Sequence, residues 1–188
     1  MSQQQKSHSP ELWERYKHIW KTKPAFFAWL RGALRRALWE RYPVKLYYKN
    51  KATHNPPIGY TGKAKKLGKC ALTGEVIPKS RLEVDHKVGH VSLTEWSDLE
   101  PFIHHLLCTE DEMQLVSKEA HKIKSYAERM GISYEEAAIE KEVIAFSKLP
   151  IDQQKKELLE HGYTEINNAS DRKRSYRRLL GEHCSNRD

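Results

Sequence analysis

Two short clusters in the middle of the chain carry side chains that could assist a hydrolysis. The first is Asp85-His86, and the second contains His121, Lys122 and Lys124. A carboxylate and an imidazole can hold a divalent ion, and an imidazole that titrates near neutrality can take a proton from water. If the fold brings Asp85, His86 and His121 to one point, the three form a metal-assisted hydrolytic site.

The elements that must position these clusters are predicted from periodicity. Polar and apolar side chains alternate over residues 81–86, which predicts a half-buried strand that ends in Asp85-His86. Residues 113–116 predict a second short strand that runs into a helix, with Ser117 as its N-cap. The two clusters would therefore lie at the end of one strand and in the first turns of a helix.

Helices are predicted on both sides of this middle stretch. Residues 1–8 are expected to be disordered, and Ser9-Pro10 predicts the start of a first helix that extends to Trp20. Further helices are predicted over 24–42, from Pro43, over 97–108, from Ser133 to Pro150, over 152–161, and after a cap at Ser170. A tight turn is predicted at Cys70–Glu75.

The middle stretch resembles the HNH nuclease family, most of all its small phage-encoded and homing-type members. The likeness rests on Asp85-His86, on Glu112-Met113-Gln114-Leu115, and on Ala120-His121-Lys122-Ile123-Lys124-Ser125. It extends to the arginine-rich segment Trp29–Pro43 and, more weakly, to Asn168–Leu180. The resemblance implies a ββα-metal fold and the hydrolysis of DNA phosphodiester bonds.

The resemblance also implies a role for each site residue. His86 is expected to activate water, while Asp85 and His121 hold one Mg²⁺ or Mn²⁺ ion. Lys124 is expected to contact a phosphate. Glu112 stands where the family has an asparagine; it could accept the N–H of His86 and fix its tautomer, or it could bind the metal itself. His90 lies in the loop after Asp85-His86, where it either has a structural role or touches the site.

Many members of this family hold their core with a zinc ion bound by two Cys-x-x-Cys pairs. The matching positions are Cys70 with Thr73 and Ser117 with Ala120, so three of the four thiolates are replaced. We therefore expect no structural zinc.

Positive charge is concentrated at the N-terminal end of the chain. Residues 1–70 hold 16 Lys and Arg against 3 Asp and Glu, whereas residues 71–125 hold 6 against 10. A basic segment beside an acidic centre suits a polyanion that is held while one phosphate is attacked. The predicted DNA-binding residues are Arg31, Arg35, Arg36, Arg41, Lys45, Lys49, Lys51, Lys63, Lys65, Lys66, Arg172, Arg174, Arg177 and Arg178.

We therefore predict an α+β, mostly helical protein with a ββα-metal core. The predicted divisions are a basic helical N-terminal arm over 1–52, a linker over 53–69 without regular structure, the nuclease core over 70–130, and a helical extension over 131–188. The arm is expected to supply affinity rather than chemistry. The linker could fold onto DNA or simply connect its neighbours.

Composition limits the compartment and the partners. The chain has no long apolar run and no apolar signal core, so we expect no membrane association and no secretion. Three widely spaced cysteines argue against a disulfide framework. We expect a cytoplasmic monomer that binds double-stranded DNA, in the host cytoplasm if it is phage-encoded.

Two other classes of function stay open at this point. One is a DNA-binding accessory protein whose nuclease site has decayed, as the replaced zinc ligands would suggest. The other is a structural or interaction protein without affinity for DNA. Whether a nuclease of this sequence would cut one strand or two is also open.

Overall fold

The structure, a computed structural model, describes residues 12–89 and 91–185. The protein is α+β and mostly helical, as predicted. The helices are α1 Leu12–Arg15, α2 Lys23–Leu34, α3 Pro43–Lys51, α4 Leu99–Leu106, α5 Lys118–Met130, α6 Tyr134–Phe146, α7 Ile151–Glu160 and α8 Ala169–Ser185. The strands are β1 Leu67–Lys69, β2 Val76–Pro78, β3 Leu82–His86 and β4 Met113–Ser117.

The chain forms two compact units, one up to Lys118 and one from Glu119. The three sequence predictions that concern residues 1–8, Ser9-Pro10 and His90 lie outside the described residues. The predicted divisions after residues 52, 69 and 130 separate segments by their expected functional roles, whereas the two units are separated by compactness. The predicted divisions therefore stay predictions. In the described part of the chain, no helix is long and apolar enough to cross a membrane.

The first unit contains two antiparallel strand pairs. In one pair β3 runs against β4, with Val84 opposite Leu115 and His86 opposite Met113. Leu82, Val84 and Leu115 are buried on one face, as the period-2 pattern requires, and Val116 is buried on the other face, so β4 is covered on both sides. Both predicted strands are therefore confirmed.

The second strand pair was not predicted. β1 and β2 form a short hairpin around the turn that begins at Cys70, and His54 forms an isolated bridge with Leu67. The expectation that residues 53–69 lack regular structure is therefore wrong for their last three residues. Gly68 explains why the hairpin can approach the β3–β4 pair, because a Cβ atom there would lie 2.8 Å from the Leu82 side chain of β3 and 3.2 Å from the Leu115 side chain of β4.

The core of the first unit is aromatic and joins its N-terminal helices to α4. Phe26 and Phe27 of α2 are each 2% exposed and pack with Phe102 and Leu106 of α4. The side chain of Trp96 lies against both Phe26 and Phe27, with ring centroids 5.8 and 5.5 Å apart. The helices predicted as a DNA-binding arm therefore bury half of this core.

Two predicted helices differ in detail from the structure. The first helix is short, because α1 ends at Arg15 and turns follow it. The second begins at Lys23, capped by Thr22, but becomes a π-helix over Arg35–Trp39. Its defining bond is the Glu40 N–H to the Arg35 carbonyl, 3.0 Å long, which spans five residues instead of four.

The second unit is entirely helical among the described residues. Phe146 and Tyr176 stack with their ring centroids 3.9 Å apart, next to the buried Leu158. The predicted capping box is confirmed, because Ser133 and Glu136 cap each other at the start of α6. α6 ends at Phe146, four residues before the predicted stop at Pro150.

The predicted cap at Ser170 is wrong. α8 begins at Ala169, so Ser170 lies inside its first turn. Asn168 takes the capping role instead: its Oδ1 atom accepts a hydrogen bond from the Asp171 N–H at 3.0 Å, and its amide donates to the Asp171 carboxylate.

Candidate functional site

The β3–β4 pair brings Asp85, His86 and the Glu112 region to one end of the sheet. Asp85 pairs with Gln114, and His86 with Met113, so both predicted residues lie on the last two rungs of the ladder. The Lys87 N–H donates to the Glu112 carbonyl at 2.8 Å, which continues the pairing one step further. The register therefore fixes where the Asp85 and His86 backbones lie.

Asp85 is a nearly buried carboxylate, only 8% exposed. The Gln114 Nε2 atom donates to its Oδ2 atom at 3.2 Å and to the His86 carbonyl at 3.3 Å. A carboxylate is a hard oxygen ligand, and Asp85 presents one in a partly desolvated place.

The His86 ring is held on both faces by residues that the sequence analysis did not assign to the site. Trp39 stacks on one side with ring centroids 4.0 Å apart, and His105 stacks on the other at the same separation. The Lys45 ammonium lies 4.3 Å from the Trp39 ring centroid. Lys45, Trp39, His86 and His105 thus form one column, which we call the His86 column.

The π-helix is what turns Trp39 toward His86. A π segment holds an extra residue per turn, which shifts the side chains after it relative to a regular α-helix. Trp39 lies at its last position. Periodicity at 3.6 residues per turn could not have found it, whereas His105 could have been suspected from the adjacent His104-His105 pair.

Burial and the charged groups around the His86 column shift the pKa of the Lys45 ammonium. Burial lowers its pKa, and Lys49 lowers it further, while the carboxylates of Glu40, Glu83 and Asp85 raise it; the net shift is downward. The influence of Asp85 shows that Lys45 lies in the electrostatic field of the candidate site. Lys45 was predicted as a DNA contact, and the structure describes it as a partly buried group beside Trp39.

Glu112 is engaged by its own turn. Its Oε2 atom accepts hydrogen bonds of 2.8 Å from both the Thr109 N–H and the Thr109 hydroxyl. These bonds lower the pKa of Glu112, and the charge of His86 lowers it slightly further. Glu112 therefore lies in the field of His86, with one carboxylate oxygen already used in a capping box.

His121 and Lys124 lie on α5, the helix that begins directly after β4. They are three residues apart and so share a face of the helix. The Lys124 ammonium is 3.1 Å from the Glu128 carboxylate, and its side chain is 13% exposed. A phosphate contact by Lys124 would therefore compete with Glu128. Among the described residues, no group of three or more His, Cys, Asp or Glu side chains is arranged to hold a metal ion. A site with two protein ligands, as predicted here, would not form such a group.

Three of the four positions that the sequence analysis matched to zinc ligands, Cys70, Thr73 and Ser117, come together in the first unit. The Ser117 N–H donates to the Cys70 sulfur at 3.2 Å, deep in the core. Burial raises the pKa of the Cys70 thiol, but hydrogen bonds from the Thr73 side chain and from the Ser117, Thr73 and Leu72 backbones outweigh it and lower the pKa overall. The aligned residues Cys70, Thr73 and Ser117 therefore share one place in the fold.

The predicted DNA-binding residues fall into three groups. The exposed ones lie on helix or loop surfaces, and they are Arg36, Arg41, Lys63, Lys65, Lys66 and Arg178. Several others are engaged within the protein. Contacts with other groups are made by Arg35, Lys45, Lys49, Lys51, Arg174 and Arg177. Arg31 is half-buried, and its charge adds to burial in lowering the pKa of Arg35. In this second group, the Lys49 ammonium donates to the Leu82 carbonyl at 2.6 Å and so ties α3 to β3.

Arg172 forms the third group alone. It is 6% exposed, and its guanidinium donates to the Gln154 side chain at 3.0 Å and to the Ile166 carbonyl at 3.2 Å. These contacts make Arg172 a structural residue between α7 and α8, and it takes no part in the proposals below.

Comparisons with protein-family models, with curated proteins and with solved structures find nothing that matches this chain. The functional argument therefore depends on the residues and their geometry.

Proposed function

We propose that the protein is a metal-dependent DNA endonuclease of the HNH type. The observation that carries the proposal is the β3–β4 register, which sets Asp85 and His86 at the end of an antiparallel pair that α5 follows directly. In this proposal the pair and α5 form a ββα-metal core, and His121 completes the metal site with Asp85.

The proposed chemistry assigns one task to each group. His86 would take the proton from the attacking water. Asp85 and His121 would hold one Mg²⁺ or Mn²⁺ ion, which would supply positive charge to stabilise the phosphate as negative charge develops on it. Stacking on both ring faces leaves only the edge of the imidazole for proton transfer, so the His86 column would fix the direction of that transfer. Cleavage could produce a nick or a double-strand break.

Three further features support the proposal. Cys70, Thr73 and Ser117 lie together, as residues descended from a shared metal site would. The Lys45 ammonium lies in the field of Asp85, where it could also attract a phosphate. The solvated cations at Arg36, Arg41, Lys63, Lys65 and Lys66 could hold the backbone of double-stranded DNA.

A second function, a DNA-binding accessory protein with a decayed site, has its own support. The Glu112 carboxylate is held by Thr109, and the His86 ring is covered on both faces. Both features restrict groups that a nuclease needs to move or to expose. In this case the same basic surface would bind DNA without cutting it.

The test is incubation of the purified protein with supercoiled DNA and Mg²⁺ or Mn²⁺, with and without a chelator. We expect cutting that the chelator abolishes, and we expect His86→Ala to lower the rate by about 10² to 10⁴ while DNA binding persists. His104→Ala is the matched control, because His104 is an exposed histidine of α4 whose ion pair within the described residues is with Glu100. Binding without any metal-dependent cutting would instead favour the accessory function.

Loss of cutting counts as evidence only for a folded variant. All five Trp lie before residue 118, so Trp fluorescence follows unfolding of the first unit and verifies the fold of each variant. If the parent protein cuts DNA and a folded His86→Ala variant cuts at the same rate, the proposed role of His86 is wrong.

A further inference from the structure

The second unit has a cleft whose lining is rich in cations and poor in acids. It is lined by His121, Lys122, Ser125, Tyr126, Arg129 and Lys141. Three of these carry a permanent positive charge at neutral pH, and two carry hydroxyl groups. We call it the α5–α6 cleft, because its residues come from those two helices.

The concentration of charge in this cleft is not a property of the whole unit. Residues 119–188 hold 13 Lys and Arg against 13 Asp and Glu, so the unit is neutral overall. In the described part of the chain, no carboxylate pairs with Lys122, Arg129 or Lys141, although acids are frequent nearby. Three unneutralised cations around one cleft repel each other, and an anion bound between them would relieve that repulsion.

Tyr126 organises the cleft. The Lys141 ammonium lies 4.9 Å from its ring centroid, and the Arg129 guanidinium carbon lies 5.3 Å from it. Two cation–π contacts thus keep both charges at the cleft without the help of an acid. The Tyr126 ring is therefore engaged by cations of the protein, which leaves it poorly suited to stack on a nucleobase.

We infer that the α5–α6 cleft binds a backbone phosphate of a nucleic acid strand. The donors suit a phosphate, because a guanidinium offers a planar fork, an ammonium a point charge, and Ser125 and Tyr126 two hydroxyls. The inference rests on the proposed function only for the nucleic-acid origin of the phosphate. It adds Lys122, Arg129 and Lys141, which lie outside the predicted DNA-binding residues, and places a phosphate beside His121.

The experiment measures binding of a single-stranded decanucleotide by the full chain, in buffer with a chelator so that no cutting occurs. We expect the double variant Arg129→Gln/Lys141→Gln to bind at least about 5-fold more weakly than the parent. The slope of log K against log salt should fall by about 1.4, since each lost single-strand contact contributes about 0.7.

Two controls identify the ligand and the place. Lys148→Gln/Lys156→Gln removes the same charge from exposed positions outside the cleft. It should leave the affinity and the slope of log K against log salt nearly unchanged. An oligonucleotide with an uncharged methylphosphonate backbone should bind the parent and the Arg129→Gln/Lys141→Gln variant with equal affinity. Inorganic phosphate at constant ionic strength should shift the NMR amide signals of Ser125, Tyr126 and Arg129 in the parent, and chloride should not.

The inference is overturned if the Arg129→Gln/Lys141→Gln variant binds like the parent, or if the control variant loses as much affinity. It is also overturned if phosphate and chloride shift the same signals equally. These outcomes are independent of DNA cutting, so a protein that cuts DNA with an unaltered cleft variant would retain the proposed function and lose this site.

Discussion

The His86 column makes a quantitative prediction about the first unit. Trp39 and His86 stack at 4.0 Å with their planes 27° apart, a geometry in which an aromatic pair contributes about 0.5–1.5 kcal/mol beyond the area that it buries. Because Trp39 is only partly buried, Trp39→Ala should cost about 2 kcal/mol, less than the loss at a fully buried site. His86→Ala should also destabilise the unit.

A double-mutant cycle isolates the contact between these two side chains. If the rings interact as their geometry indicates, Trp39→Ala/His86→Ala should be about 1 kcal/mol more stable than the sum of the single losses predicts. The assay is denaturant unfolding followed by the fluorescence of the remaining Trp residues, all of which lie in the first unit. A cycle between Trp39 and His104, the exposed neighbour of His105, is the control and should give a coupling near zero.

The reasoning fails if the coupling energy between Trp39 and His86 is below about 0.3 kcal/mol, because the effects of mutations at distant, non-interacting sites deviate from additivity by about that much. The same variants test a functional consequence. If the column directs the imidazole, Trp39→Phe should keep most of the cutting rate because it keeps a stacked ring, whereas Trp39→Ala should lower kcat more than it changes KM. An equal loss in both variants would mean that the ring contact does not matter for catalysis.

Three smaller predictions concern stability. Gly68→Ala should cost about 1–3 kcal/mol, because its new methyl group would meet Leu82 at 2.8 Å, and Trp fluorescence should report the loss. Asn168→Ala should cost about 1 kcal/mol through the lost cap of α8, measured by the far-UV circular dichroism of the second unit's transition. Arg172→Ala should cost about 1.5–3 kcal/mol in that transition, whereas the exposed Arg178→Ala should change it by less than about 0.5 kcal/mol; equal effects of the two would contradict the structural role of Arg172.

The sequence predicted the parts of the fold that depend on local patterns. Alternation over residues 81–86 identified β3, because it reports which face of a strand is buried. The Ser133-x-x-Glu136 spacing identified the start of α6, because a capping box is a contact between residues three positions apart. The β1–β2 hairpin was missed because its strands have three residues each, too few for a period-2 signal. β1 packs on the β3–β4 pair, a contact between elements distant in the sequence that no local pattern reports.

The candidate site was predictable only in the residues that carry a motif. Asp85 and His86 could be placed on a strand end, but their neighbours Trp39 and His105 come from elements 46 and 20 positions away along the sequence from Asp85. Trp39 reaches His86 through a π-helix, which has no reliable signature in a single sequence. Cys70 and Ser117 could likewise both be matched to ligand positions of one zinc site. The hydrogen bond between the Ser117 N–H and the Cys70 sulfur could be found only in the folded structure.

The N-terminal helices are an integral part of the first unit and do not form a detachable DNA-binding arm. Phe26 and Phe27 fill the core against α4, the Lys49 ammonium bonds the Leu82 carbonyl, and Trp39 covers the His86 ring. Removal of residues 1–69 would therefore expose the core and free the His86 ring, so it could not separate affinity from chemistry. Single charge substitutions at solvated positions such as Arg36 and Lys65 keep these contacts. These substitutions should lower the DNA affinity and the slope of log K against log salt, while the unfolding transition and the cutting rate at saturating DNA stay constant. That result would show that the positive charge binds the substrate. A changed unfolding transition would instead show that the same residues also stabilise the first unit.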